Sequence, residues 1–181
     1  MNVRWRWGVL LGMVMLWGCT LPRIIVLNDP LDAHQHNDLG VAYEQRGEFD
    51  LAGREYRRAA ELDKGWALPL INLGNIAARN AEWQGAAEHY QAALARQPDN
   101  AEALNNLAWA LAQAGRADEA LPWAQQAVAA AAADPRCWDT LAEVYLALGR
   151  TAEGHAAAAQ GLALNPSPAL RTSLASKLPT N

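Results

Sequence analysis

The chain has 181 residues, of which 51% are hydrophobic and 19% are charged, and its formal net charge at pH 7 is −4. That charge excludes a strongly basic nucleic-acid binder, and the length suits one domain with a real core. Alanine accounts for 39 residues and phenylalanine for one. Because alanine favours closely packed helices and strands favour other residues, the composition predicts an all-α protein. No alanine precedes Ala33, so the first 32 residues form a separate compositional region.

The first 19 residues are organised like a bacterial export signal. Two arginines precede an uncharged apolar run over residues 7–17, which is too short to span a bilayer comfortably. The run ends in Leu-Trp-Gly-Cys at 16–19, which resembles the lipobox of bacterial lipoproteins. In that motif a small residue precedes a cysteine that receives diacylglycerol before cleavage. The resemblance implies a signal peptide over 1–18 and lipidation of Cys19, with an ordinary cleaved signal and an uncleaved anchor as alternatives.

The lipoprotein resemblance also implies a location. In such proteins an aspartate after the cysteine favours retention in the inner membrane, whereas here Thr20 follows it. In a bacterium with two membranes, this implies an outer-membrane protein that faces the periplasm. Acyl chains on Cys19 would attach the protein stably, because each buried CH₂ contributes about 0.8 kcal/mol. A mature chain over 19–181 loses two of its 15 basic residues and keeps all 19 acidic ones, for a net charge of −6.

Residues 19–32 are predicted to be a tether between the anchor and the rest of the chain. They contain a four-residue apolar run at 24–27, which would be a sticky strand if it were exposed. One interpretation is that this run packs against the following residues or near the membrane. The other is that it docks as a strand onto a partner or another protomer.

The body of the chain repeats itself every 34 residues. A leucine column, two columns of small residues and a turn column recur at this spacing in four copies. The copies occupy 33–66, 67–100, 101–134 and 135–168. The columns contain Leu39, Leu73, Leu107 and Leu141; Ala52, Ala86, Ala120 and Gly154; Ala59, Ala93, Ala127 and Gly161; and Gly47, Ala81, Gly115 and Gly149.

This pattern resembles the tetratricopeptide repeat (TPR), which places a Leu-Gly pair, a tyrosine and small residues at fixed positions, with an aromatic at position 24. The resemblance covers 33–168 and implies a right-handed α-solenoid of four helix-turn-helix TPR units, with a concave face lined by the first helices. Tyr56 and Tyr90 occupy position 24 in the first two repeats, whereas Ala124 and Ala158 replace them in the last two. We therefore expect the C-terminal end to bury less apolar area and to be less stable.

Several turn and cap residues fit this arrangement. Glycine in the turn column suits the left-handed conformation that follows a helix. Asp50 and Asp118 are predicted to be N-caps of second helices. Pro122 is placed in a first turn, where a missing N–H costs little. Residues 169–181 have leucines at helical spacing and are predicted to form a C-terminal capping helix, with a frayed tail as the alternative.

The sequence offers little for catalysis. No serine occurs before Ser167. If Cys19 is acylated, Cys137 is the remaining thiol, and a dyad of Cys137 with His155 is the one candidate nucleophile. The alternative is a buried, inert Cys137. The histidines lack metal-ligand spacing, and no phosphate-binding loop occurs. We therefore predict a non-enzyme with no cofactor and no metal site.

The TPR resemblance also assigns a binding groove. TPR grooves are lined by positions 2, 5, 6, 9, 12 and 13 of the first helices, where asparagine amides can donate to and accept from an extended peptide. Trp109 is either a ligand anchor or packs against repeat four. The alternative for the asparagines is that position 6 commonly carries this residue in the family. Position 5 has no lysine, so a clamp for a C-terminal carboxylate is not supported. The candidate groove residues are Asn72, Asn75, Asn105, Asn106 and Trp109.

Together these features predict a non-catalytic protein–protein interaction scaffold. It would be an envelope lipoprotein that assists the assembly or localisation of a periplasmic or outer-membrane complex. Its partners would be a protein or peptide segment in the groove and the membrane through the lipid anchor, with no nucleic acid. The alternatives are a self-associating, homo-oligomeric structural protein and an enzyme that uses Cys137.

Overall fold

A computed structural model describes residues 29–179, and within that range the chain forms nine α-helices and no strand. The predicted signal peptide (1–18) and Cys19 lie outside the described residues, as does the apolar run at 24–27. No helix within 29–179 is both long enough and apolar enough to cross a bilayer. The helices are α1 (Ala33–Gln45), α2 (Phe49–Leu62), α3 (Leu68–Arg79), α4 (Trp83–Arg96), α5 (Ala101–Gln113), α6 (Ala117–Ala130), α7 (Pro135–Ala147), α8 (Thr151–Ala163) and α9 (Pro168–Ser176).

The first eight helices pack in order as four hairpins. Hairpin 1 is α1 with α2, hairpin 2 is α3 with α4, hairpin 3 is α5 with α6, and hairpin 4 is α7 with α8. Each second helix also contacts the first helix of the next hairpin, so the hairpins stack into one continuous array. The core runs along the whole array, which is how repeats that cannot bury their apolar faces alone become stable.

The turn inside each hairpin has the same backbone conformation. Gly47, Gly115 and Gly149 have φ values of 77°, 75° and 71°, which confirms the predicted left-handed turn. Ala81 takes the same place in hairpin 2 with a φ of 58°. Because a Cβ is crowded in this region, Ala81 bears a conformational cost of about 1–2 kcal/mol that the three glycines avoid.

The predicted N-caps of the second helices are wrong. The N-cap of α2 is Glu48 and that of α6 is Arg116, and neither side chain makes a capping hydrogen bond. Asp50 and Asp118 lie in the first turn, where a carboxylate still favours the helix dipole. The reason is the shortness of the turn. Glu48 N donates to the Tyr43 carbonyl at 2.9 Å, so the residue that closes α1 is also the one that opens α2.

The predicted place of Pro122 is also wrong. It is the sixth residue of α6 and lies inside the helix rather than in its first turn. A proline at this depth cannot donate to the carbonyl four residues earlier, which belongs to Asp118. The helix nevertheless continues to Ala130, so packing of its apolar face outweighs the missing hydrogen bond.

The interior is built around the small-residue columns. Tyr56 and Tyr90 are fully buried, and each ring lies directly against a glycine of the preceding helix. A Cβ on Gly40 would come within 2.5 Å of the Tyr56 ring, and one on Gly74 within 2.4 Å of the Tyr90 ring. Hairpins 3 and 4 have alanine at both places, and all four of these alanines are fully buried: Ala108, Ala124, Ala142 and Ala158.

Helix α9 covers the end of hairpin 4. Leu174 is fully buried, and its Cδ2 would lie 2.9 Å from a Cβ added to Gly161 on α8. Leu170 and Leu178 are partly buried against the same core. The residues between Pro168 and Ser176 therefore take the place that the first helix of a further repeat would occupy.

Candidate functional site

Neighbouring first helices are joined by asparagine side chains along the surface that they share. Asn72 on α3 donates from Nδ2 to Asn37 Oδ1 on α1 at 3.0 Å. Asn106 on α5 donates from Nδ2 to Asn75 Oδ1 on α3 at 3.2 Å. The asparagines predicted from the sequence thus form hydrogen bonds between hairpins, and we call the surface along α1, α3, α5 and α7 the groove.

Asn75 is the most constrained of these amides. Its Oδ1 accepts from Asn106 and also from the Tyr90 hydroxyl at 2.8 Å. Burial raises the pKa of Tyr90 well above its ordinary value, and the nearby Glu102 charge adds to this, so the hydroxyl remains a donor at neutral pH. With Oδ1 satisfied twice, the Asn75 side chain has one orientation. Within residues 29–179 its Nδ2 forms no hydrogen bond, so this group is available as a donor.

Asn105 contributes less clearly to the groove. Its Nδ2 lies 3.5 Å from Asn106 Oδ1, at the outer limit of a hydrogen bond. Its Oδ1 is buried and has no partner among the described residues. The structure therefore brings Asn75 and Asn106 together in one site, places Asn105 beside them, and ties Asn72 to the preceding hairpin.

Trp109 packs against a second tryptophan from hairpin 2. Its ring meets Trp83 edge to face, with centroids 5.2 Å apart and an interplanar angle of 87°. Both indoles are partly buried. Trp109 also lines a cavity of about 210 Å³ together with Asn75, Tyr90 and Asn106. Two amides and an indole edge therefore share one depression in the groove.

A larger cavity of about 620 Å³ adjoins the end of α1. Its lining includes Val41, Glu44, Phe49 and Arg79. The Arg79 guanidinium lies over the Phe49 ring, with Cζ 4.3 Å from the centroid. Glu44 is engaged elsewhere, because its Oε2 accepts from the Tyr56 hydroxyl at 2.7 Å. Arg79 also lines the smaller cavity, so it stands between the two.

The groove becomes acidic at its C-terminal end. Glu143 on α7 is partly buried and accepts from Gln113 Nε2 at 2.6 Å. Burial raises the pKa of Glu143 and the Asp139 charge raises it further, while Lys177 and the Gln113 hydrogen bond oppose the shift. No basic side chain on α7 balances this end of the groove, since Arg136 is paired with Asp134 at 2.6 Å.

Asp139 is bound by the capping helix. Lys177 Nζ lies 2.7 Å from Asp139 Oδ1, and the Ser173 hydroxyl donates to the same carboxylate at 3.0 Å. Lys177 also donates to Ser173 Oγ at 2.9 Å. Because Lys177 and Ser173 both donate to Asp139 on α7, these hydrogen bonds hold α9 against α7. Asp139, although at a groove position, is thereby used within the chain.

The candidate nucleophile is buried and held in its protonated form. Cys137 is 2% exposed, and burial raises its pKa to about 11, with the Asp134 charge adding to the shift. Such a thiol is a poor nucleophile at neutral pH. The structure shows no hydrogen bond between Cys137 and His155. Among residues 29–179, no group of three or more His, Cys, Asp or Glu side chains could hold a metal ion.

Three residues of the groove were missed from the sequence: Phe49, Arg79 and Trp83. Arg79 occupies position 13 and is the one basic residue at positions 5, 6, 9, 12 and 13 of the four repeats, which is a signal that could have identified it. Phe49 and Trp83 are the first residues of second helices, outside the positions assigned to the groove. Their contribution depends on contacts between hairpins that spacing alone does not give.

The chain matches a family model described as tetratricopeptide repeat over residues 23–66 and 71–135. A curated relative, the protein CTR9 homolog of Arabidopsis thaliana, is 24% identical over 126 residues, or 67% of this chain. This chain spans 12% of the length of that relative.

Solved structures share the fold. MamA, from residue 41 to its end, of Desulfovibrio magneticus RS-1 is 23% identical and has a TM-score of 0.70, covering 80% of this chain and 82% of its own. YrrB is 20% identical with a TM-score of 0.66, covering 81% of this chain and 76% of its own. These likenesses confirm the predicted fold class, a right-handed α-solenoid of TPR units.

Proposed function

This chain belongs to the tetratricopeptide repeat family, and from that premise we propose that it is a non-catalytic scaffold that binds an extended segment of another protein in its groove. The observation that carries the proposal is the cavity lined by Asn75, Asn106 and Trp109. There, groups that can bind a peptide backbone lie beside an apolar surface that can hold a side chain.

The chemistry of the cavity fits an extended segment. A peptide in extended conformation exposes backbone N–H and C=O groups that need partners. Asn75 Nδ2 is held in one orientation by the two hydrogen bonds to Oδ1, so it can donate to a ligand carbonyl without first losing rotational freedom. The edge-to-face pair of Trp109 with Trp83 supplies a rigid apolar contact.

A solved protein of similar fold supports this use of the groove. YrrB is described as a TPR protein with an unusual peptide-binding site. The two chains are similar over 81% of the present one, so a peptide-binding function is compatible with an array of this size. For the present chain, the proposal that it binds a peptide segment rests on the cavity lined by Asn75, Asn106 and Trp109.

We also propose that the scaffold works as a lipoprotein in the bacterial cell envelope. The supporting pattern is the apolar run at 7–17 followed by Cys19, with Thr20 favouring an outer-membrane location that faces the periplasm. Anchoring would confine the groove to the membrane surface and raise the local concentration of the scaffold for a membrane-associated partner. In this role the protein assists assembly or localisation of an envelope complex.

Metabolic labelling with palmitate tests the anchor. We expect the wild-type chain to incorporate label and to fractionate with the outer membrane, and we expect Cys19→Ser to lose both properties. The matched control is Cys137→Ser, which removes the other cysteine and leaves the labelling intact. Label that persists in Cys19→Ser would contradict the lipoprotein assignment.

Selection from a random peptide library displayed on phage tests the groove. We expect short peptides selected on the full chain to lose about tenfold or more in affinity for Trp109→Ala, because an aromatic anchor contributes at least 1.4 kcal/mol. Trp123→Ala is the matched control, since Trp123 lies on α6 and lines a different cavity with Leu94 and Pro98. Equal affinities for wild type and Trp109→Ala would contradict binding at this cavity.

A further inference from the structure

We propose that Arg79 makes the groove selective for segments that carry an aspartate or glutamate side chain close to a large apolar side chain. This inference rests on the proposed function, because it names the chemistry of the segment that the groove binds. The observations that carry it are the place of Arg79 between two cavities, its support by Phe49 and its lack of an acidic partner within residues 29–179.

Arg79 is held in place without using its hydrogen-bond donors. It is the last residue of α3 and is exposed, and its guanidinium lies over the face of the Phe49 ring at 4.3 Å. A cation stacked on a ring is attracted through the ring face, so the N–H groups at the edge of the guanidinium remain free to donate. The stacking therefore orients the group before any ligand arrives.

No carboxylate among residues 29–179 is paired with Arg79. Within residues 29–179 it forms no ion pair and no hydrogen bond. Its cavity neighbour Glu44 accepts from the buried Tyr56 hydroxyl instead. Four other arginines pair with an acidic residue two or three positions away: Arg58 with Glu61, Arg116 with Glu119, Arg136 with Asp134 and Arg150 with Glu153. The exposed Arg46, Arg54 and Arg57 form no ion pair within residues 29–179 either, so Arg79 is distinguished by its stacking on Phe49 and its place between the two cavities.

A ligand that lies along the groove from one cavity to the other passes next to Arg79. Arg79 lines both the cavity of about 620 Å³ and the cavity of about 210 Å³. Asn75 lies one helical turn before it on the same face of α3. A segment that donates to or accepts from Asn75 therefore brings its side chains within reach of the guanidinium, which binds carboxylates in a planar, two-point arrangement.

An apolar side chain of the same segment would reach Trp109 on α5, the next first helix along the groove. Packed helices lie about 8–10 Å apart, and an extended chain advances about 3.3 Å per residue. About two to three residues thus separate the side chain at Arg79 from the one at the Trp83–Trp109 pair. Edge-to-face indoles suit leucine, phenylalanine or tryptophan in that position.

The charges at the two ends of the groove determine at which end the acidic side chain of the segment lies. Glu143 and Asp139 lie at the α7 end, and the Asp139 charge is balanced by Lys177, the residue that follows α9. An acidic ligand residue placed there would meet the Glu143 carboxylate, whereas at the α1–α3 end it meets Arg79 and the neighbouring Arg46. The acidic residue is therefore positioned toward α1 and the apolar residue toward α5.

An array of random short peptides with amidated C-termini, probed with the full chain in detergent, tests the proposal. Amidation removes the terminal carboxylate, so that any acid selected is a side chain. We expect bound peptides to be enriched in Asp or Glu about two to three residues from Leu, Phe or Trp. For the best of them, replacing the acid by its amide and the variant Arg79→Gln are each expected to weaken binding about tenfold.

Two further variants separate the outcomes. Arg79→Glu is expected to reverse the preference toward Lys and Arg, and Arg54→Gln, an exposed arginine on α2, is the matched control that leaves binding unchanged. Peptides whose binding depends on Trp109 but shows no acidic enrichment and no effect of Arg79→Gln would overturn this inference alone. Absence of any bound peptide, or binding unaffected by Trp109→Ala, would overturn the proposed function and this inference with it.

Discussion

In the first two hairpins, a glycine on the first helix makes room for a tyrosine on the second. The rings of Tyr56 and Tyr90 occupy the space that a Cβ on Gly40 or Gly74 would need. Hairpins 3 and 4 fill the equivalent space with two alanines. At the scale of single residues, the glycine–tyrosine pair and the alanine–alanine pair both keep the two helices in close contact, but only the first buries an aromatic ring.

The glycine–tyrosine contact predicts opposite effects for two glycine substitutions in hairpin 2. Gly74→Ala is expected to lower the free energy of unfolding by about 1–3 kcal/mol, because the new Cβ would overlap the buried Tyr90 ring. Gly85→Ala, whose nearest neighbour would be 4.0 Å away, is expected to be neutral or to raise it by up to about 1 kcal/mol through helix propensity. Urea denaturation measures both. Equal destabilisation would contradict the packing described here.

The buried thiol predicts a loss of stability at alkaline pH. Burial raises the pKa of Cys137 from 9.0 to about 11, so the folded state holds the thiol proton more tightly than the unfolded state. Its contribution is fully present below about pH 9 and is lost as the pH rises through 9 to 11. We expect the stability difference between wild type and Cys137→Ala, measured by denaturation across this range, to shrink. A difference independent of pH would show that the thiol titrates normally.

At the scale of elements, the turns decide where helices begin. The sequence periodicity predicts all four hairpins, but it places the N-caps of the second helices too late. In each hairpin the residue whose N–H makes the last hydrogen bond to the first helix is also the N-cap of the second helix. Asp32, Asn100 and Asp134 cap first helices instead, each accepting from a backbone N–H. Pro122 was misplaced for the same reason, since α6 begins at Ala117.

Helix α9 is expected to stabilise the end of the array through one leucine. Leu174→Ala should lower the free energy of unfolding by about 2–5 kcal/mol, because Leu174 is fully buried against hairpin 4. Leu164→Ala, at a leucine that is 37% exposed, should cost less than about 1 kcal/mol. Thermal or urea unfolding of the two variants provides the comparison. Similar losses would mean that α9 does not cover the core as described.

At the scale of the whole molecule, the groove is assembled from residues of different hairpins. Position in the repeat predicts Asn75, Asn106 and Trp109 as groove residues, and the structure places all three around one cavity. Position alone could not show that Asn106 binds Asn75, or that Trp109 meets Trp83, because these contacts cross between helices about 30 residues apart. Arg79 was not predicted from the sequence, because its role depends on Phe49 and on two cavities that form only when hairpins 1, 2 and 3 are stacked.

The groove itself is tested most directly by following the tryptophan indole N–H signals of the full chain by NMR during titration with a peptide selected from the library. The signals of Trp109 and Trp83 are expected to shift together and to saturate, because Trp109 lines the cavity of the proposed site and its ring packs against that of Trp83. Those of Trp123 and Trp138, which line other cavities, are expected to stay in place. Saturable shifts of Trp123 or Trp138, with Trp109 and Trp83 unmoved, would place the binding surface elsewhere and contradict the account.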